Sequence, residues 1–299
     1  MKQQLTIHQF GPISDIKIDI DDIIVFIGSQ ASGKSTVSKA IFFFKSLRDN
    51  LYRYYYDCYH QNKFDANISN FGKLAKQKFI KIYGSVLQSP NMKLTYTYGE
   101  KITATVKPSG DNRFTDIEFS PIFRKKFNQI MNKIKNSYDE LHRKNSSFSS
   151  YREVSTLKAK EANLFAEIDA DLNTLFGDDR DIVFLPAGRS LITTLSQQRY
   201  NIDMGDDWSS NSEIESDGLT KLDYLMRDFI NRIDDAKPIF DKGMDKLIEE
   251  HIVNGSSDML QIINLAKDLV NLILRGSYSY FNGIERITFA DGKSTLEAV

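Results

Sequence analysis

A single cysteine, Cys58, leaves no pair for an internal disulfide and no cysteine-built zinc cluster, and it reads as a buried structural thiol. Excess charge of one sign is also missing. The 39 Lys and Arg against 40 Asp and Glu give a formal net charge of -1, so no whole-chain field favours nucleic acid, and any DNA contact must rest on local clusters. No apolar run approaches the roughly 18 residues of a membrane span, and the N-terminus lacks the basic-then-apolar layout of a secretory signal. The expectation is a cytoplasmic protein with no membrane partner. What is present is 41% hydrophobic residues over 299 positions, enough to bury a sizeable core in one large domain or two smaller ones.

The most informative segment is Gly28-Ser29-Gln30-Ala31-Ser32-Gly33-Lys34-Ser35-Thr36, which satisfies G-x-x-x-x-G-K-[ST] and directly follows the apolar run Ile23-Ile24-Val25-Phe26-Ile27. Phosphate binding by such a motif needs a buried strand, a tight glycine-bearing loop and a helix start, so that several backbone N–H groups converge on one anion. The reading expects residues 23–27 as that buried strand. Lys34 then reaches the β- and γ-phosphates of a bound nucleotide, Ser35 ligates Mg²⁺, Thr36 supports both from the first helical turn, and the helix dipole adds to the attraction. The motif alone does not separate an ATPase from a GTPase or a phosphotransferase.

The flanks narrow the choice. Leu5 to Phe10 and Ile16 to Ile20 alternate in polarity around a turn at Gly11-Pro12, so two one-sided strands precede the loop. Most kinases and small GTPases place the loop after the first strand. Strand, glycine turn, second alternating strand and phosphate loop resemble the N-terminus of ABC-type ATPases of the chromosome-maintenance and recombination-repair kind. Residues 5–36 are most similar to the RecF-like and overcoming-lysogenization-defect branch, whose bacterial members often go simply by the name of AAA-family ATPases. The resemblance implies that the loop near residues 11–14 lies close to the base or ribose. It also implies that two heads sandwich two nucleotides, and that DNA repair or phage defence is the setting, with a nuclease or other effector as partner and DNA as a further one.

Beyond the loop, residues 35–59 read as one helix with Val37, Ala40, Ile41, Phe44 and Leu47 on its apolar side. Tyr52, Tyr54, Tyr55, Tyr56 and Tyr59 beside Arg53 suit either a base-stacking platform or ordinary packing, and packing is the preferred reading. Residues 92–119 switch to period two and suggest an antiparallel meander. After Pro121 a stripe of Phe123, Phe127, Ile130, Met131 and Ile134 marks a basic helix bearing Arg124, Lys125, Lys126, Lys133 and Lys135. A second helix spans about 153–176, with a polar turn at 145–150 between the two. The pair reads as a helical insertion over 121–176, a stub without sustained heptads. A solvated face is preferred to a DNA contact for its charges.

Asp181-Ile182-Val183-Phe184-Leu185-Pro186-Ala187-Gly188-Arg189-Ser190 reads as a second buried strand entering a tight loop. Under the resemblance its end faces the nucleotide. Arg189 is then a contact to phosphate, to a partner head or to DNA, or else it bonds carbonyls of its own loop. The carboxylates between 201 and 217 match no calcium loop. Helices are expected near 219–235, 237–252 and 257–275, then short strands punctuated by Asn282-Gly283 and Asp291-Gly292.

An ATPase of this type also needs an acid at the end of another buried strand to hold Mg²⁺ and polarise water. No segment supplies it: Ile287 to Asp291 runs into Gly292 as a turn, and Asp169 and Asp171 sit in a helical pattern. The expected fold is α/β, a P-loop NTPase of ABC-type head architecture. Its mixed sheet carries the loop beside an antiparallel subsheet, with the head split into 1–120 and 177–299. The chain reads as the N-terminal portion of a longer ATPase, or as one completed by another polypeptide, in either case turning ATP over poorly alone. A regulatory module in which ATP occupancy toggles assembly with a nuclease-type effector, with little hydrolysis, is the alternative from another class. A phosphotransferase would need an acceptor-activating base that is not evident.

Overall fold

In the computed structural model, residues 2–84, 89–109, 115–143, 151–187, 223–236, 244–253, 257–281, 284–289 and 295–298 are described. They fall into two units, Met1–Phe184 and Leu185–Val299.

The first unit is built on five antiparallel strands: β1 (Gln3–Phe10), β2 (Ile13–Ile20), β3 (Lys93–Gly99), β4 (Ile102–Pro108) and β5 (Thr115–Phe119), ordered β2-β1-β3-β4-β5. Period two decides which face is dry. Leu5 opposes Tyr96 and Ile7 opposes Leu94, and these four, with Ala104, Val106 and Phe119, are buried. The opposite face carries Thr6, Thr95, Thr105, Lys107 and Glu118 in facing positions.

Helices cover the dry face. α1 (Lys34–Lys45) and α2 (Leu47–His60) are separated at Ser46, so the single helix expected over 35–59 is two. There the Ser46 hydroxyl donates to the Phe43 carbonyl at 2.8 Å, a local side-chain bond of the kind that competes with helix continuation. α1 meets the sheet through Phe44, which stacks on Tyr96 with centroids 5.5 Å apart, and whose carbonyl accepts from the Tyr98 hydroxyl at 2.7 Å.

α3 (Ile68–Tyr83) adds a helix that the sequence reading does not include, although its signal is present. The Asn67 side chain accepts from the Ser69 and Asn70 amides at 3.0 and 3.1 Å, a standard N-cap, and Phe71, Ala75, Phe79 and Ile82 follow at helical spacing and are buried. α4 (Pro121–Arg143) buries the expected stripe of Phe123, Phe127, Ile130, Met131 and Ile134. α5 (Tyr151–Phe176) packs against α2 and α4. Buried Arg48 ties α2 to α5, donating to Asp169 at 2.8 Å and through Nε to Asn173 at 2.7 Å. The α2 tyrosines pack, as preferred: the Tyr55 hydroxyl donates to the Phe127 carbonyl at 3.0 Å, and Tyr59 meets Phe165 and Tyr138 edge-on.

The expected strand at 23–27 is corrected. Residues 23–27 join no ladder among the described residues, and Ile23, Val25 and Ile27 are 85%, 73% and 92% exposed. Residues 181–186 are likewise unladdered, with Val183 and Leu185 exposed. A buried strand needs backbone partners on its edges and side-chain cover on both faces. Among the described residues, 23–27 have no ladder partner. The sheet is therefore antiparallel throughout the described residues, and the mixed sheet expected to carry the phosphate loop is not found there.

The second unit holds α6 (Tyr224–Ala236), α7 (Met244–Val253), α8 (Ser257–Leu274) and the antiparallel strands β6 (Gly276–Phe281), β7 (Ile284–Phe289) and β8 (Thr295–Ala298). β7 is central, with α8 packed on β6. The turns expected at Asn282-Gly283 and Asp291-Gly292, the polar turn at 145–150 and the carboxylates of 201–217 lie outside the described residues.

Candidate nucleotide-binding site

Residues 28–33 follow the unladdered segment 23–27 and enter α1 directly. Gly33 is the N-cap, with φ +92° and no side-chain cap bond, and α1 has no acid in its first turn. The first amides of an α-helix have no intrahelical acceptor, so α1 opens with free donors and an uncompensated positive dipole end. Ala31 is also left-handed, with φ +61°. The chain thus turns sharply at two places within the loop, as an anion-binding concavity requires.

Gly33 is fixed by sterics as well as by torsion. A Cβ there would lie 2.7 Å from Ile13 Cγ1 and 3.3 Å from Pro12 Cγ. The β1–β2 turn therefore rests on the phosphate loop.

Lys34 folds back over the loop. Its Nζ donates to the Gly28 carbonyl at 2.8 Å, to the Ser29 carbonyl, and to the Ser32 hydroxyl at 3.3 Å. The ammonium thereby sits above the loop backbone, where a phosphate would need a counter-charge. Ser35 is exposed on the same first turn and Thr36 is half-buried. Gly28, Ser29, Gln30, Ala31, Ser32, Gly33, Lys34, Ser35 and Thr36 thus form one continuous loop and helix start. The donor set of amides, an ammonium and a hydroxyl suits a polyphosphate with a hard cation, with Ser35 as the side chain able to ligate Mg²⁺.

The carboxylates named in the sequence are engaged elsewhere. Asp169 pairs with Arg48 at 2.8 Å and Asp171 with Lys133 at 3.1 Å. No group of three metal-ligating side chains occurs among the described residues. On the basic helix, Lys133 also meets Glu167 at 2.8 Å, and Arg124 Nε donates to the Phe119 carbonyl at 2.9 Å. Lys133 and Arg124 therefore serve the fold. Arg189 lies outside the described residues.

Sequence reasoning misses an ion-pair clamp at the C-terminal end of α1. Lys45, at the last turn of α1, pairs with Asp178, and Asp178 also accepts from Arg180 Nε at 2.9 Å. Arg180 reaches Asp22, just before residues 23–27, at 3.2 Å. Burial raises the Asp178 pKa, but bonds from Arg180 and Lys45 outweigh it and hold it at about 2. Phe184 contacts Phe42 of α1, with centroids 5.5 Å apart. Nothing in the local pattern of residues 178–180 signals contacts so distant in sequence.

A family model described as an AAA ATPase domain matches residues 1–174, more than half of the chain. The chain belongs to the AAA ATPase domain family. No curated protein and no solved structure matches. The matched stretch of this AAA ATPase domain includes the β1–β2 hairpin, the phosphate loop, α1 to α4 and nearly all of α5. Membership makes it a P-loop NTPase of α/β build that binds nucleotide, with ATP hydrolysis as the family's activity. Among the described residues, no helix is long and apolar enough to cross a membrane.

Proposed function

We propose that the chain is the ATP-binding head of an ABC-type ATPase of the chromosome-maintenance, RecF and overcoming-lysogenization-defect kind, and that it hydrolyses ATP when two heads engage. One observation carries this reading: the β1–β2 turn is seated on Gly33 of the phosphate loop. A strand pair placed before the loop and folded onto it sets this head apart from NTPases whose loop follows their first strand.

At the site, the α1 amides and Lys34 bind and orient the phosphates, and the Ser35 hydroxyl is offered to Mg²⁺. Bound Mg²⁺ supplies Lewis-acid stabilisation of the developing phosphate charge. Pro12 and Ile13 exclude water from the back of Gly33. Arg189 is assigned to the nucleotide, to the partner head or to DNA. The partners proposed are a second copy of the head, a nuclease or other effector, and DNA, in repair or anti-phage defence in the cytoplasm. Head residues 1–120 and 177–299 flank the helical insertion 121–176.

A second reading, an ATP-dependent regulatory module that toggles assembly with a nuclease-type effector and hydrolyses little, is favoured by the engagement of Asp169 with Arg48 and of Asp171 with Lys133. Phosphate release and sedimentation, each with and without ATP, separate the two. ATP-driven dimerisation with turnover supports the engaged ATPase, and ATP-driven dimerisation without turnover supports the module. Loss of dimerisation in Lys34→Ala ties either result to this loop.

A further inference from the structure

Tyr83, the last residue of α3, reaches the phosphate-binding helix from behind. Its hydroxyl donates to the Thr36 carbonyl at 2.9 Å. Its ring is held edge-on by Phe10, the last residue of β1, at 4.9 Å, and is tilted against Phe79, one helical turn earlier, at 4.8 Å. Phe10 is followed at once by the turn whose Pro12 and Ile13 rest on Gly33. One aromatic side chain therefore touches the strand that delivers the turn and the helix that begins with the phosphate loop.

The hydrogen bonds continue past Thr36. The peptide that presents the Thr36 carbonyl also carries the Val37 N–H, which donates to the Gly33 carbonyl at 3.0 Å. The peptide that presents the Gly33 carbonyl carries the Lys34 N–H, the first helical amide, which has no acceptor within α1. Tyr83 hydroxyl, peptide 36–37 and peptide 33–34 thus lie head to tail, each donor polarising the next. The last donor in the series is an amide at the anion-facing end of the helix. Burial pushes the Tyr83 pKa far up, so the hydroxyl stays a donor at all working pH values.

We propose that Tyr83 is a positioning residue for the phosphate seat: its hydroxyl fixes the first turn of α1 and strengthens the amide that the turn presents to phosphate. This rests on the nucleotide-binding reading of the loop. Removing the hydroxyl while keeping the ring deletes one bond from the series. A typical net hydrogen-bond contribution corresponds to roughly a three- to tenfold loss of affinity. A purely structural bond would lower thermal stability and leave affinity unchanged among the molecules that remain folded.

The test is calorimetric titration of wild type, Tyr83→Phe, a variant with 3-fluorotyrosine at position 83, and Lys34→Ala with Mg²⁺ and ATP, with melting temperatures measured in parallel. The inference expects Tyr83→Phe to bind roughly three- to tenfold more weakly than wild type. It expects the fluorinated residue, a stronger donor of nearly the same size, to bind more tightly than wild type. The order of affinities would then follow donor strength and not melting temperature. If Tyr83→Phe fails to fold, the fluorinated variant alone decides: affinity equal to or below wild type overturns the inference. Equal affinities across Phe, Tyr and fluorotyrosine, with binding lost in Lys34→Ala, overturn it while leaving the nucleotide-binding reading intact. No binding by wild type overturns both.

Discussion

Ile13 and Gly33 are packed so closely that a Cβ on Gly33 would fall 2.7 Å from Ile13 Cγ1. The contact joins the turn after β1 to the start of α1, and the torsion at Gly33, φ +92°, is one that side-chain-bearing residues rarely adopt. Two separate costs therefore oppose any substitution. Gly33→Ala should destabilise the first unit by about 1–3 kcal/mol and weaken ATP binding at least tenfold. Adding Ile13→Ala relieves only the clash, so the double variant should recover part of the stability and little of the affinity. Urea denaturation and calorimetry on the four proteins of the cycle measure both quantities.

The clamp at the C-terminal end of α1 should show as acid sensitivity. Asp178 titrates near pH 2 in the folded chain against 3.8 as the ordinary value. Its depressed pKa means that its contribution is fully present above about pH 4 and is lost as pH falls through 2. Asp178→Asn should lower stability at pH 7 and flatten the fall in stability below pH 4. A parallel pH dependence in variant and wild type would contradict the assignment. Thermal melts between pH 2 and 7 provide the comparison.

Arg48 should matter more than its surface counterparts. It is 8% exposed and bonds Asp49, Asp169 and Asn173 at once. Arg48→Ala removes the cation shared by Asp169 and the Asn173 side-chain carbonyl oxygen of α5 and should cost about 2–3 kcal/mol. Lys107→Ala breaks an exposed pair with Glu118 and should cost well under about 1 kcal/mol. Chemical denaturation of both variants tests the contrast.

Much of the first unit is legible in the sequence because its periodicities are local. The β1–β2 hairpin, the meander at 92–119 and the α4 stripe each declare a dry face through alternate or every-third-and-fourth apolar residues. The phosphate loop is legible because its glycines, lysine and hydroxyls must be contiguous. The segment 23–27 misleads because its apolar composition is a local property, whereas ladder formation depends on neighbours distant in sequence. Its half-buried Ile24 and Phe26 alternate with bare Ile23, Val25 and Ile27. The division of the long helix at Ser46 rests on one hydroxyl bond that helical periodicity does not encode. The Lys45–Asp178 clamp and the Tyr83–Thr36 bond span 133 and 47 residues. Folding alone brings those partners together.

The most direct test of the nucleotide site is titration of the purified chain with ATP and Mg²⁺, with Lys34→Ala alongside and melting temperatures recorded for both. Lys34 makes its bonds within the loop and stands over the seat where phosphate charge must be neutralised. Saturable one-site binding by wild type, with a loss of at least tenfold in a folded Lys34→Ala, is the expected result. Equal binding by the two proteins, or none by the wild type, would contradict the assignment of residues 28–36 as the phosphate seat.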